Sequence, residues 1–241
     1  GTHTLTAKAR DTSQNSATSA PVTVTVSNTI VPPPTSGLIG YWNFNEDSGT
    51  IAHDTSGSSY NGTLNGATWT AGKINSALSF NGTTNYVVTP NIVLGKTFSL
   101  STWVNPAVTS QGAYVRIAET QFGSGFYLGT DASGTKYKFI VNSGSGSSGA
   151  CGAAYGCVQG GTVTSGWHLV TATFDGTTAT LYVDNAAVAT DTFTAPANTT
   201  YPLYIARYYG GNGYSWNGVI DEVRLYNRAL TSAEVATIYN Y

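Results

Sequence analysis

Residues Trp167-His168-Leu169-Val170-Thr171-Ala172-Thr173-Phe174 and Ala179-Thr180-Leu181-Tyr182-Val183-Asp184 are joined at Asp175-Gly176. Both runs are rich in β-branched and aromatic side chains, which suit a pleated, half-buried surface. Asp-Gly is the dipeptide that a tight hairpin turn demands. The stretch predicts two antiparallel strands, and the same grammar repeats outward from it. Upstream lie Leu38–Phe44, Ala77–Phe80, Tyr86–Val88, Phe98–Val104, Ala113–Ala118, Phe126–Gly129 and Tyr137–Val141. Downstream lie Leu203–Ala206 and Gly218–Tyr226. So many short strands exceed an immunoglobulin domain and predict an all-β, two-sheet antiparallel jelly-roll sandwich over residues 37–241. The one convincing helix is terminal. Thr231 stands as N-cap, Glu234 three residues later completes a capping box, and Val235, Ala236, Ile238 and Tyr239 supply apolar contacts.

Before this series, His3–Ala9 and Val22–Val26 alternate apolar and polar residues, with turn material at Asp11–Asn15. Residues 1–28 resemble the last hairpin of a bacterial Ig-like domain, and two strands alone are marginal in water. The expectation is a domain fragment whose partners lie upstream or on another chain. Residues 29–36 contain Pro32-Pro33-Pro34, a stiff extended spacer, and mark the boundary.

Charged residues make up 9% of the 241, against 41% hydrophobic and 12% aromatic. Apolar material for a core is ample, so low charge does not imply disorder; Ser, Thr, Asn and Gly must cover the surface. A net charge of −2 with scattered cations leaves no footprint for nucleic acid or anionic membrane. No apolar run approaches a helical membrane span. The sequence has no Met and begins at Gly1-Thr2-His3, so it reads as a piece of a longer protein. Cys151 and Cys157 sit in a Gly/Ser/Ala loop. A local disulfide in an oxidising compartment is the expectation, with two partly buried thiols as the alternative.

Five ordered motifs carry a family resemblance. Gly40-Tyr41-Trp42-Asn43-Phe44-Asn45-Glu46-Asp47-Ser48-Gly49 resembles the opening of the laminin-G-like, concanavalin A-like lectin–glucanase jelly rolls. Asp54-Thr55-Ser56-Gly57 with Asn61-Gly62-Thr63, Ala77-Leu78-Ser79-Phe80-Asn81-Gly82, Gly166-Trp167-His168-Leu169-Val170 and the closing Gly218–Leu230 stretch are similar to its later motifs. In relatives, an early loop and the aspartate of the closing strand share a calcium ion. The resemblance therefore implies a structural calcium at Asp54 and Asp221, with Asn61 a lesser candidate and Asn45, where the family often has Asp, weaker still. Oxygen ligands of these kinds suit calcium. The alternative is an Asx-turn at Asp54 and a backbone hydrogen bond to Asp221.

Catalysis has little support in the residues. Hydrolases on this sandwich carry paired acids on one strand, and retaining hydrolysis needs two carboxyls roughly 5–5.5 Å apart. Glu46, Glu119, Glu222 and Glu234 have no acid two or four residues away, adjacent Asp221 and Glu222 should face opposite ways, and His3, His53 and His168 lie far apart in sequence. The expectation is no enzyme. Rings gather instead at Tyr208, Tyr209, Tyr214 and Trp216 on a glycine-rich turn, with Tyr155 in the cysteine loop. These five are the candidate ligand-binding residues. Alternatively, Tyr208, Tyr209 and Trp216 are packed away, and a ligand sits on the concave sheet around Tyr114, Arg116 and Tyr127. The functional expectation is a non-catalytic carbohydrate-binding or adhesive module of a secreted or cell-surface, bacterial multidomain protein. A structural subunit of a filament or array, self-associating through the N-terminal hairpin, is the alternative.

Overall fold

The computed structural model describes residues 1–26, 31–120, 125–141, 151, 156–192, 199–211 and 213–241. Residues 1–26 form four short strands: β1 (Thr2–Leu5), β2 (Lys8–Arg10), β3 (Ser16–Thr18) and β4 (Val22–Thr25). They pair as β1 with β4 and β2 with β3, and every residue is exposed. Where a two-strand hairpin was expected, its long arms break at Thr6-Ala7 and at Ser19–Pro21, so each pairs in two pieces.

The remainder is the expected sandwich of two large antiparallel sheets. The first uses β6 (Ile51–Ala52), β7 (Gly62–Asn65), β10 (Tyr86–Leu94), β12 (Arg116–Glu119), β13 (Phe126–Thr130), β14 (Lys136–Val141), β15 (Cys157–Thr162) and β19 (Thr199–Ile205). Its order is β15-β14-β13-β12-β19-β10-β7-β6. The second uses β5 (Leu38–Trp42), β8 (Thr68–Ala71), β9 (Ser76–Asn81), β11 (Phe98–Pro106), β16 (His168–Phe174), β17 (Thr178–Val183), β18 (Ala186–Thr192) and β20 (Asn217–Tyr226). Its order is β18-β17-β16-β11-β20-β9-β8, with β5 also on β20. The Asp175-Gly176 hairpin joins β16 to β17 with Phe174 opposite Ala179, and Gly176 adopts φ +101°, as its turn requires.

Alternation turns one side of each strand into a common core, which includes Trp42, Phe80, Phe98, Phe126, Phe139, Phe174 and Leu225. At roughly 1.5–3 kcal/mol for each large side chain removed from water, this layer is the main stabilising element. Two smaller clusters lie on the outward faces. Helix α1 (Ser232–Tyr239) packs Val235 and Ile238 onto Trp103, Leu169 and Tyr226 of the second sheet. The capping box is present as expected: Thr231 accepts from the Glu234 amide, and Glu234 accepts from the Thr231 amide. On the first sheet, Tyr127, Ile140 and Cys157 pack together with Cys151 against them.

Strand β20 changes partner along its length. Asn217–Ile220 pair with β9, Val223–Tyr226 pair with β5, and the register against β11 shifts between. Core-facing Ile220 and Val223 are therefore three residues apart, and Glu222 takes φ +56°. This bulge corrects the expectation that strict alternation separates Asp221 from Glu222.

Candidate functional site

The outward face of the first sheet carries a buried polar cluster. Arg116 and Glu119 are 5% and 0% exposed, and Arg116 Nε donates to Glu119 Oε2 at 2.7 Å. The other carboxylate oxygen accepts from the Tyr209 amide at 2.6 Å. Burial pushes the Glu119 carboxyl up to about 7, against the opposing pull of the Arg116 charge. The guanidinium lies 4.2 Å from the Tyr127 ring centre, 5.1 Å from Tyr208 and 5.2 Å from Tyr214. Such contacts hold a cation by the ring quadrupole. Lys138, from β14, lies 5.4 Å from the Tyr114 ring, and burial lowers its pKa.

Local backbone geometry aims these groups. Tyr114 and Tyr214 both adopt φ +55°, unusual for bulky residues. The Tyr214 carbonyl accepts from the Arg116 amide at 2.8 Å, while the Tyr114 carbonyl accepts from Arg116 Nη1. Strain of this kind collects at functional sites. Gly129 stands opposite Arg116 in the ladder, and a Cβ there would run into the Val115 carbonyl oxygen. A glycine is required for β12 to approach β13 this closely.

Beside the cluster the same face stays more open. Tyr86 and Tyr204, half-buried, lie 6.4 Å apart, and the Arg207 guanidinium sits 4.2 Å from the Tyr86 ring. No motif in the sequence singled out Tyr86, Tyr204 or Glu119 for this surface. Outward alternation of β10 and β19 is the signal that finds the two tyrosines.

Three of the five proposed ligand residues meet here. Tyr208 packs edge-on to Tyr209 at 4.8 Å and to Tyr214 at 5.7 Å, and Tyr214 is 48% exposed. Trp216 does not join them. It is 0% exposed within the main core, and a ring enclosed by both sheets cannot stack on a ligand from solvent. Tyr155 lies outside the described residues. Cys151 and Cys157 are disulfide-bonded to each other.

Asp54 and Asp221 serve different loops and share no hydrogen-bond partner among the described residues. Asp54 accepts from the amides of Tyr41, Ser56 and Tyr60, each at 2.9 Å, and its own amide donates to Asn61 Oδ1 at 2.9 Å. Those bonds make an Asx-turn and fasten the loop to β5. Asp221 is 0% exposed, and burial pushes its carboxyl up to about 7. Its Oδ2 accepts from the amides of Lys73 and Ile74 at 2.9 and 3.0 Å, while Oδ1 is buried without a partner. Asn45 Oδ1 and Asp47 bond Ser76 of the same turn. An orphaned, buried carboxylate oxygen is the kind of donor that a hard cation such as calcium takes. Among the described residues no three acidic, His or Cys side chains converge. A cation there would be held through Asp221 Oδ1.

A model for the concanavalin A-like lectin/glucanases superfamily matches residues 81–236. The chain belongs to this family. Among solved structures, this lectin/glucanase-type chain is similar to domain 4 of AbnA, the GH43 extracellular arabinanase of Geobacillus stearothermophilus, in complex with arabinotriose. The two share 18% identity over 86% of this chain and 99% of that domain, with a TM-score of 0.66. It is also similar to the binding domain of botulinum neurotoxin DC in complex with SialylT, at 12% identity, 86% and 52% coverage and TM-score 0.62. A Trypanosoma rangeli sialidase matches at 20% identity, 86% and 33% coverage and TM-score 0.63. The family chain thus spans about half of the toxin domain and a third of the sialidase. At these identities the likenesses show the fold. No curated protein matches by sequence.

Proposed function

We propose that the chain is a non-catalytic carbohydrate-binding module of an extracellular protein, with its site on the outward face of the first sheet. The observation that carries this is the Arg116–Glu119 pair roofed by Tyr208, Tyr209 and Tyr214 and continued by Tyr86, Tyr204 and Arg207. Sugars present apolar C–H faces and hydroxyl edges. Tyrosine rings take the first, while Arg207 at the open edge takes the second. The neighbours in complex with arabinotriose and SialylT support the same ligand class. The acids support binding without turnover: Glu119 is held by Arg116 and the Tyr209 amide, whereas glycoside hydrolysis uses two carboxyls flanking one bond. The disulfide supports an oxidising, extracellular setting.

A calcium ion at Asp221 would tie β20 to the Lys73–Ser76 turn and supply structural charge balance. A glycan array displaying arabino-oligosaccharides and sialylated glycans, run with and without chelator, tests the reading. Binding to at least one glycan class is expected, weakened by Tyr214→Ala; an array blank at all concentrations overturns it.

A second reading rests on residues 1–26. His3 pairs with Val24 and Leu5 with Val22 on one face, and Leu5, Val22, Val24 and Val26 are exposed by 40–60%. Pairing of that apolar face in trans would make the chain a subunit of an array. Concentration-dependent polymers in light scattering, lost on deleting residues 1–26, would favour it.

A further inference from the structure

The outer face of the second sheet carries a groove of about 420 Å³, within the few-hundred-Å³ range of small-ligand sites. Tyr41 and Arg224, cross-strand partners on β5 and β20, line it from the sheet. Asn43 and Thr55 form its polar side, and the Pro32–Thr35 segment and Tyr241 its rims. The proline segment is fastened across the sheet, since the Tyr226 hydroxyl donates to the Pro34 carbonyl at 3.0 Å.

The chemistry of the walls selects the occupant. Arg224 does not stand as an open cation. Its Nη2 donates to the Glu222 carboxylate and, at 2.8 Å, to the Tyr41 hydroxyl, which in turn donates to Glu222 at 2.6 Å. The triad is neutral overall, and an anionic ligand would gain little from it. Prolines carry no N–H, so the Pro32–Pro34 rim offers a ligand no backbone donor. An extended peptide, which must satisfy its own carbonyls as well as its amides, is poorly served. A ligand rich in hydroxyl donors and apolar C–H faces is served well. Its hydroxyls would meet the side-chain oxygens of Asn43 and Thr55, and its ring face would meet Tyr241, since the Arg224 guanidinium already lies 4.3 Å from the Tyr41 ring.

We propose that this groove is a second saccharide site, for one or two units of a neutral sugar, on the sheet opposite the first. One module would then engage two glycan chains at once, and linking two weak sites raises avidity without new contacts. The site does not depend on the Arg116 cluster being a sugar site.

The test is a heteronuclear NMR titration of the whole chain with cellobiose, maltose, xylobiose and lactose at up to tens of millimolar. Saturable shifts at Asn43, Thr55 and Tyr241 are expected with at least one sugar. Tyr241→Ala, at a half-exposed terminal residue, should weaken that response several-fold, and Tyr214→Ala should leave it unchanged. Shifts confined to the Arg116 face, no shift with any of the four, or an unaltered response in Tyr241→Ala would each overturn the second site.

Discussion

Arg116 Nε reaches Glu119 Oε2 at 2.7 Å although the two residues are three apart on one strand. On a regular strand an odd separation puts side chains on opposite faces. The ladder between β12 and β13 shifts register between Arg116 and Ala118, so Ile117 and Ala118 both enter the core and the flanking ionic pair both face outward. Removing one member of a buried pair leaves an uncompensated charge, at roughly 3–5 kcal/mol. Arg116→Ala should therefore cost much more stability than Tyr214→Ala in parallel denaturant melts.

The Glu119 carboxyl is held up to about 7 by burial, above its unfolded value. A folded state that binds the proton more tightly is favoured at low pH, so this group's contribution falls as pH rises from about 4.5 to 7. Glu119→Gln should flatten that slope in melting temperature against pH. An identical pH profile in the variant and the parent would show that the carboxyl is ionised throughout.

Gly129 holds the close approach that places Arg116. Gly129→Ala should displace β12, lower the melting temperature and weaken glycan binding together. Tyr214→Ala, at an exposed ring, should change stability by no more than about 0.5 kcal/mol. Its effect on binding should be about 1 kcal/mol, by analogy with aromatic pairs, a several-fold loss of affinity. Calorimetry on both variants with the glycan found by array separates the two behaviours.

The sandwich was legible because its signals are local. Asp175-Gly176, the alternating runs and the Thr231–Glu234 box each act within a few residues. The site was less legible because two bulges break the period-2 rule at the residues that matter. A search for acids at spacings of two or four passes over Arg116–Glu119, and it misjudges Asp221 and Glu222. Trp216 misled for another reason. The glycines before it, Gly210, Gly211 and Gly213, suggest an exposed loop, yet the Trp216 amide donates to the Ala206 carbonyl in the sandwich.

The two aspartates expected to share calcium should respond differently. Asp221 has an orphaned buried oxygen, whereas the carboxylate of Asp54 has three backbone donors. A cation bound only by the folded state at a hundredfold excess over Kd adds about 2.7 kcal/mol. Chelator should lower the melting temperature of the parent and of Asp54→Ala, but not of Asp221→Asn. Asp54→Ala should be destabilised with or without chelator, through its lost turn. Chelator sensitivity that disappears in Asp54→Ala and persists in Asp221→Asn would return the ion to the Asp54 loop.

The Cys151–Cys157 bond bears on the glycan face through packing. Cys157 and Ile140 form one cluster with Tyr127, whose ring centre lies 4.2 Å from the Arg116 guanidinium. Closing so short a loop restricts the unfolded chain by about 2 kcal/mol, and a domain of this size loses roughly 2–4 °C of melting temperature per kcal/mol. The Cys151→Ser, Cys157→Ser variant should therefore melt several degrees lower yet stay folded, because the main core lies on the other side of the sheet. Its glycan affinity should fall as well, since Tyr127 loses part of its support. Reductant should reproduce both effects in the parent and neither in the variant. If affinity holds while the melting temperature falls, the disulfide acts on stability alone and the ligand does not depend on Tyr127.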